Sequence, residues 1–248
     1  MDGANTTSDE SLPDVRFWFD PMCPFAWMTS KWVRMVQEQR DYTVEWRFIS
    51  LRLLNKHIDY DAHFPPDYDA GHTAGLQMLR VCSRVLEAHG QERVAQLYPA
   101  LSSQIFDVAP EDANDIPGRV RDLIETALTR VGLSPDLARF LDDESRDQEI
   151  QLSTDEALAL TGKDVGTPIL HVAPPDGAAF FGPVISRLPT GDEAAELWDH
   201  VVGLATFQGF SELKRSLRER PQLRALGVTE DQAGVQEDWH AGSRRQKK

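Results

Sequence analysis

The order of apolar and polar positions predicts an opening strand–helix–strand unit. The run Val15–Phe19 is apolar and aromatic, which predicts a buried strand. Asp20-Pro21-Met22 interrupts it, and apolar residues three or four apart then predict a helix. Residues 44–51, VEWRFISL, are rich in β-branched and aromatic types and predict a second strand. The opening is therefore a βαβ unit.

The middle of the chain has helical spacing from about Gly71 to Gly162. One helix is expected to end at Gly90, and another at Gly132 after a clean amphipathic stripe. Ser134-Pro135 offers an N-cap residue and a first-turn proline, so a further helix is expected to begin there.

The last part of the pattern returns to strands. The run Thr167–Val172 and the run Ala178–Phe181 flank the turn sequence PPDG, which predicts a hairpin, and a final helix follows from Gly191. The order βαβ, helices, ββα predicts an α/β, thioredoxin-like fold with a large all-helical insertion.

This pattern also predicts the domain boundaries. Residues 1–13 form a flexible arm, and residues 14–54 with 163–218 form the thioredoxin-like domain. Residues 55–162 form the inserted helical subdomain, and the polar residues 219–248 are expected to be mostly disordered.

Composition then narrows the function classes. The 248 residues carry a formal net charge of -14, which argues against a nucleic-acid-binding face. The sequence has no apolar run of about 20 residues and no secretory signal at its start, so we expect no membrane partner and a cytoplasmic location. The apolar stripes of the insertion have two interpretations: they support a homodimer, or they cover the protein's own sheet.

Two cysteines are too few for a disulfide scaffold, and each is judged by its position. Cys82 lies on the apolar face of a helix and is assigned to the core. Cys23 lies between the first strand and the first helix, with Pro24 in the first helical turn. Unpaired N–H groups there can lower a thiol pKa from about 8.5 to between ~3.5 and ~7.5. Although a lone cysteine is usually a small buried apolar residue, this context favours a nucleophile.

Aromatic residues close to Cys23 suggest a substrate pocket. Phe25 and Trp27 flank the cysteine and are expected to form one wall, while Phe181 and Gly182 supply another edge. The histidines of the insertion lack a metal-ligand spacing, so we expect no metal. These histidines are His57, His63, His72 and His89.

Three motifs in this order resemble a known family. FDPMCPFAW after the first strand, VGTP before a late strand and FFGPV after it resemble DsbA-like thioredoxin-fold proteins, in particular the actinobacterial mycothiol-dependent nitroreductases. The resemblance covers about Val15 to Leu217. It implies that the Thr167–Pro168 peptide bond is cis and faces Cys23, and that the Thr167 backbone binds the disulfide partner.

The chain departs from that family at one motif position. Family members typically carry Cys-Pro-Trp-Cys, whereas Ala26 occupies the fourth position here. The resemblance therefore implies a monothiol oxidoreductase that forms a mixed disulfide with mycothiol or a glutathione-like thiol as co-substrate, without a tightly bound cofactor. Its substrate would be a disulfide or an electrophile. Two alternatives stay open: a thiol transferase or isomerase similar to the kappa class, and a redox-inactive binding or scaffold protein.

Overall fold

The computed structural model describes residues 12–60, 68–162, 165–215, 217–228, 234–240 and 243–244. This part of the chain contains both strands and helices, and most of the regular structure is helical. The strands are β1 Val15–Phe19, β2 Val44–Phe48, β3 Ile169–Val172, β4 Ala179–Phe181, β5 Leu217–Glu219, β6 Gln236–His240 and β7 Ser243–Arg244. The α-helices are α1 Pro24–Gln37, α2 Leu51–Leu54, α3 Tyr68–Phe106, α4 Val120–Arg130, α5 Asp147–Thr161 and α6 Glu193–Thr206. Short 3-10 helices lie at Pro110–Asp112, Pro117–Arg119, Pro135–Asp142, Glu144–Arg146 and Arg224–Leu226.

A four-stranded mixed sheet in the order β2-β1-β3-β4 forms the centre of the fold. β1 is parallel to β2 and antiparallel to β3, and β3 and β4 form an antiparallel hairpin. The parallel pair needs the crossover helix α1, whereas the turn in the sequence PPDG is enough for the hairpin. This arrangement confirms the predicted thioredoxin-like α/β class with a helical insertion.

The two faces of the sheet bury different side chains because successive residues of a strand point to opposite sides. Phe17 and Phe19 of β1 belong to the main core, in which Phe19 stacks on Tyr98 of α3 at 3.8 Å between ring centroids. Trp18 points to the other face, where its indole N–H donates to the Ser153 carbonyl of α5 at 3.1 Å. On the main face, Trp32 of α1 donates to a carbonyl of α6 at 2.9 Å.

The backbone of the helical insertion breaks at Gly90, where the sequence predicts the end of a helix. φ is +78° and ψ is 179° at this residue, so α3 consists of two helical halves that meet there at a kink. The helix predicted to begin at Ser134-Pro135 is present as the 3-10 helix Pro135–Asp142, and the Ser134 hydroxyl caps it by accepting the Asp136 N–H. Arg80 of α3 fastens the insertion through two hydrogen bonds of 2.7 Å to the Asp147 carboxylate.

Several expectations concern the ends of the chain. Residues 1–11, most of the predicted N-terminal arm, lie outside the described residues. In the segment for which the polar composition predicts disorder, the structure has β6 and β7, which form a small antiparallel sheet with β5. No helix in the described ranges has the length and apolar character needed to span a membrane.

Candidate active site around Cys23

Cys23 is the N-cap residue of α1, as its position between strand and helix predicts. Its backbone is extended, with φ −90° and ψ 112°, and Pro24 begins the helix without needing a hydrogen-bond acceptor. The Ala26 N–H donates to the Cys23 sulfur at 3.4 Å, and the Cys23 S–H donates to the Thr167 carbonyl at 3.4 Å. The sulfur thus lies between the first turn of a helix and the segment that precedes β3.

Thr167 and Pro168 lie where the resemblance implies. The Thr167–Pro168 peptide bond is cis, and the Thr167 hydroxyl donates to the Trp18 carbonyl of β1 at 3.1 Å. The Pro168 carbonyl accepts the Gly182 N–H at 2.8 Å, which links this segment to the end of β4. Cys23 is thus hydrogen-bonded to Thr167, and Gly182, which follows Phe181 in the chain, is hydrogen-bonded to Pro168.

Phe25 and Trp27 are buried, with 7% and 4% of their surfaces exposed. The Trp27 indole N–H donates to the Asp107 carboxylate at 3.2 Å, and its ring meets Tyr98 edge-on at 5.8 Å. Lys31 lies 4.7 Å from the centre of the Trp27 ring. Trp27 thus takes part in packing α1 against α3, and the substrate contact expected of these two aromatic residues stays a prediction.

The ionisation of Cys23 contradicts the sequence expectation. The pKa of the Cys23 thiol is raised to about 12, mainly by burial, and the negative charge of Asp20 contributes in the same direction. The backbone N–H groups of Ala26 and Phe25 lower this pKa, as helix-terminal donors should. Because only 6% of Cys23 is exposed, desolvation of a thiolate outweighs these donors. The lowered pKa predicted from helix position alone is therefore wrong.

Asp20 is a residue of this site that the sequence analysis missed. It follows β1 directly, and its carboxylate is wholly buried. One carboxylate oxygen accepts the Met22 N–H at 2.8 Å, and the other accepts the Leu51 N–H of α2 at 2.8 Å. Burial raises the pKa of Asp20, these two donors partly offset the rise, and the resulting pKa is about 6. The signal in the sequence was an acid placed at the end of an otherwise apolar strand.

A polar and aromatic cluster lies at the start of α3. The Tyr60 hydroxyl and His72 Nδ1 are 2.9 Å apart, and Arg52 lies 5.0 Å from the centre of the Tyr60 ring. Burial and then the Arg52 charge lower the pKa of His72 to about 4, so this imidazole is neutral near pH 7. Burial raises the pKa of Tyr68, and the negative charge of an ionised Cys23 raises it further, which couples this cluster to the candidate nucleophile.

The other residues considered in the sequence have structural places. Cys82 is wholly buried in α3 within the main core, which confirms its assignment to packing. Within the described ranges, no three histidine, cysteine, aspartate or glutamate side chains are grouped so as to hold a metal ion. His63 lies outside the described residues.

Comparison with known proteins identifies the family of this chain. The model of the Rv2466c-like family, described as mycothiol-dependent nitroreductase Rv2466c, matches residues 22–215. The match begins one residue before Cys23 and includes Thr167, Pro168 and Gly182. An uncharacterised protein of Mycobacterium tuberculosis, Rv2286c, is 30% identical over 207 residues, which cover 82% of each chain.

Proposed function

This chain belongs to the Rv2466c-like family of mycothiol-dependent nitroreductases, and from that premise we propose that it is a monothiol oxidoreductase. Cys23 is the nucleophile, and mycothiol or a similar small thiol is the co-substrate. No tightly bound cofactor is needed for this chemistry. A reducing cytoplasm supplies such a thiol, and it is the compartment in which an unpaired cysteine stays reduced.

The reaction is thiol–disulfide exchange in two steps. The Cys23 sulfur attacks one sulfur of a disulfide, a new S–S bond forms, and the other sulfur leaves as a thiolate that takes up a proton. A second small thiol then attacks the mixed disulfide and releases Cys23 as a thiol. Since Ala26 stands three residues after Cys23 and the chain's other cysteine is buried in α3, the small thiol has to perform this second step.

One observation carries this proposal: the Cys23 sulfur lies 3.4 Å from the Thr167 carbonyl, beside a cis peptide bond and at the N-terminus of α1. The backbone around Thr167 and Pro168 can bind an extended thiol or disulfide partner by main-chain hydrogen bonds. Pro24 and Phe25 on one side, and Phe181 and Gly182 on the other, would form the edges of that binding site, with Trp27 behind them.

The raised pKa of Cys23 favours a second candidate, a redox-inactive binding protein that keeps the fold. A buried neutral thiol is a weak nucleophile because the thiolate is the reactive form. Such a protein would hold a small thiol without exchanging sulfur with it.

Activity with defined variants separates the two candidates. We expect the wild-type protein to reduce a small mixed disulfide in the presence of mycothiol. Cys23→Ser should abolish this activity, and the matched variant Cys82→Ser should retain it. If the wild-type protein shows no turnover with mycothiol, glutathione or bacillithiol, the oxidoreductase proposal fails and the binding protein is favoured.

A further inference from the structure

Within the described part of the chain, the four-stranded sheet ends in β2 on one side and in β4 on the other. The strand at the edge of a sheet presents unpaired backbone N–H and C=O groups, to which a strand of another chain can add. β4 has only three residues and offers few such groups, whereas β2 has five. β2 is therefore the edge that the protein has to protect or to use.

The Gln91 side chain of α3 lies against the outer edge of β2 like a short piece of strand. Its amide oxygen accepts the Trp46 N–H at 3.2 Å, and its amide nitrogen donates to the Trp46 carbonyl at 3.3 Å. One side-chain amide thus binds both backbone groups of Trp46, because it offers the same donor and acceptor as a peptide group. Two residues further along β2, the Ser153 hydroxyl of α5 donates to the Phe48 carbonyl at 2.7 Å.

The kink of α3 places Gln91 at this edge. Gly90 has a φ of +78°, a conformation that favours glycine, and Gln91 is the first residue after it. The helical half that Gln91 begins is fixed to α1, since the Arg34 guanidinium donates to the Ala95 carbonyl at 2.8 Å. The same guanidinium lies 4.1 Å from the centre of the Trp46 ring. The break in α3 therefore sets where the Gln91 amide meets β2.

A depression in the surface leaves room for another chain beside β2. It has a volume of about 260 Å³, and its floor includes the β2 residues Glu45–Phe48. Leu86 of α3 and Leu152 of α5 line it, and Leu152 is 63% exposed. Because the surface is open here, the hydrogen bonds of Gln91 and Ser153 close the edge, and the shape of the protein does not.

The sequence of β2 is complementary to itself in the antiparallel direction. Trp46 is the central residue of Val44–Phe48, and both of its backbone groups point outward, toward Gln91. Two copies of Trp46 placed opposite each other would therefore exchange both hydrogen bonds. In this register Glu45 of each chain lies opposite Arg47 of the other, and cross-strand pairs of opposite charge are stabilising. Within one chain the same two side chains pair at 2.9 Å. The partner that fits this edge is a second copy of the chain, related by a two-fold axis through Trp46.

We propose that the outer edge of β2 is a self-association surface that the Gln91 amide keeps closed. Pairing with a second copy replaces the two Gln91 hydrogen bonds of Trp46 by two equivalent ones, so neither state leaves these backbone groups unpaired. Gln91 belongs to the same chain and acts at a high effective concentration. A second copy loses translational and rotational freedom when it binds. Gln91 therefore keeps the edge unpaired in the wild-type protein, and its removal exposes the surface.

Hydrogen exchange of the Trp46 amide, followed by NMR, tests whether Gln91 covers the edge. In dilute Gln91→Ala the Trp46 N–H should exchange at least roughly fivefold faster than in the wild-type protein, because it has lost its acceptor. The Arg47 N–H points to the other side of the strand, toward β1, and should keep its rate. The control variant Gln96→Ala removes an exposed amide of the same helical half that bonds only to Glu92 and Arg93 side chains, and it should leave both rates unchanged.

Sedimentation velocity over the micromolar to millimolar range tests self-association. The mass of Gln91→Ala should double as its concentration rises, whereas the wild-type protein and Gln96→Ala should show no such doubling. When Gln91→Ala is concentrated, its Trp46 amide should regain protection, because the second copy supplies the missing acceptor. This recovery locates the new contact at the edge of β2.

Three results would overturn the inference. Equal Trp46 exchange in the wild-type protein and Gln91→Ala would show that Gln91 does not cover the edge. Identical sedimentation of the two proteins at every concentration would show that Gln91 does not control association. An associated Gln91→Ala with an unprotected Trp46 amide would place the contact elsewhere. If Gln91→Ala does not fold, Gln91→Met keeps a side chain of similar length without the donor and the acceptor, and the same three results decide.

Discussion

The Asp20 carboxyl group should make the stability of the fold depend on pH in a direction opposite to that of most carboxylates. Burial raises its pKa from 3.8 to about 6, so between these values the folded protein binds a proton that the unfolded chain has lost. The stabilisation by this group is complete below the unfolded pKa and is lost as the pH rises through about 6. At about 1.4 kcal/mol per pKa unit, the loss amounts to about 3 kcal/mol.

The variant Asp20→Asn isolates this contribution because it cannot lose a proton. We expect the free energy of unfolding of the variant, relative to that of the wild-type protein, to increase by about 2 to 3 kcal/mol between about pH 4 and about pH 7.5. Urea unfolding followed by tryptophan fluorescence measures the free energy of unfolding of both proteins. The hydrogen bond lost in the variant lowers its free energy of unfolding by a nearly constant amount at every pH. Low protein concentrations are needed because the isoelectric point is near 4.9.

A matched surface variant shows what a generic loss of charge does. Asp199→Asn removes a half-exposed carboxylate, and its stability difference from the wild-type protein should change by less than about 0.5 kcal/mol over the same pH range. If the difference for Asp20→Asn is equally flat, the carboxyl group titrates like an exposed one and the reasoning about its burial is refuted.

Three further predictions follow from the same packing. Ala26→Cys should form a reversible disulfide with Cys23, because the two positions are one helical turn apart and the Ala26 nitrogen already lies 3.4 Å from the sulfur. Mild oxidation that leaves both thiols free, with the fold intact, would contradict this prediction. Gly75→Ala should destabilise the fold by about 1 to 3 kcal/mol in urea unfolding, since the new Cβ would lie 2.7 Å from a buried Asp20 carboxylate oxygen. The control variant Gly203→Ala has open space around its Cβ and should be neutral or stabilising. Arg80→Ala should lower the free energy of unfolding by about 3 kcal/mol in the same assay, because it leaves the Asp147 carboxylate of α5 without its two 2.7 Å hydrogen bonds. A loss below about 0.5 kcal/mol would show that this ion pair does not hold the insertion in place.

The fold could be predicted from the sequence where local pattern and tertiary packing agree. β1 has the bounds that its apolar run predicts, and α1 begins at Pro24 because the preceding cysteine is its N-cap. Local signals also predicted two helix boundaries in the insertion. Ser134 caps the helix that begins at Pro135, which has 3-10 geometry, and the helical backbone of α3 breaks at Gly90.

The position of the candidate site could be predicted, but its electrostatics could not. Adjacent strands of a thioredoxin-like sheet bring Cys23 and Thr167 together, and this topology follows from the order of elements. The pKa of Cys23 depends on how completely the insertion buries the sulfur and on the charge of Asp20, and both are set by tertiary contacts. A rule that considers only the helix N-terminus omits the larger effect, which is desolvation.

The most direct test of the central claim is intact-protein mass spectrometry after incubation with the disulfide of mycothiol. We predict a mass gain of one mycothiol per chain, located by peptide mapping at Cys23, reversed by reduced mycothiol and absent in Cys23→Ser. Cys82 should stay unmodified because it is wholly buried in α3. No adduct on a folded wild-type protein, or an adduct only on Cys82, would contradict the account.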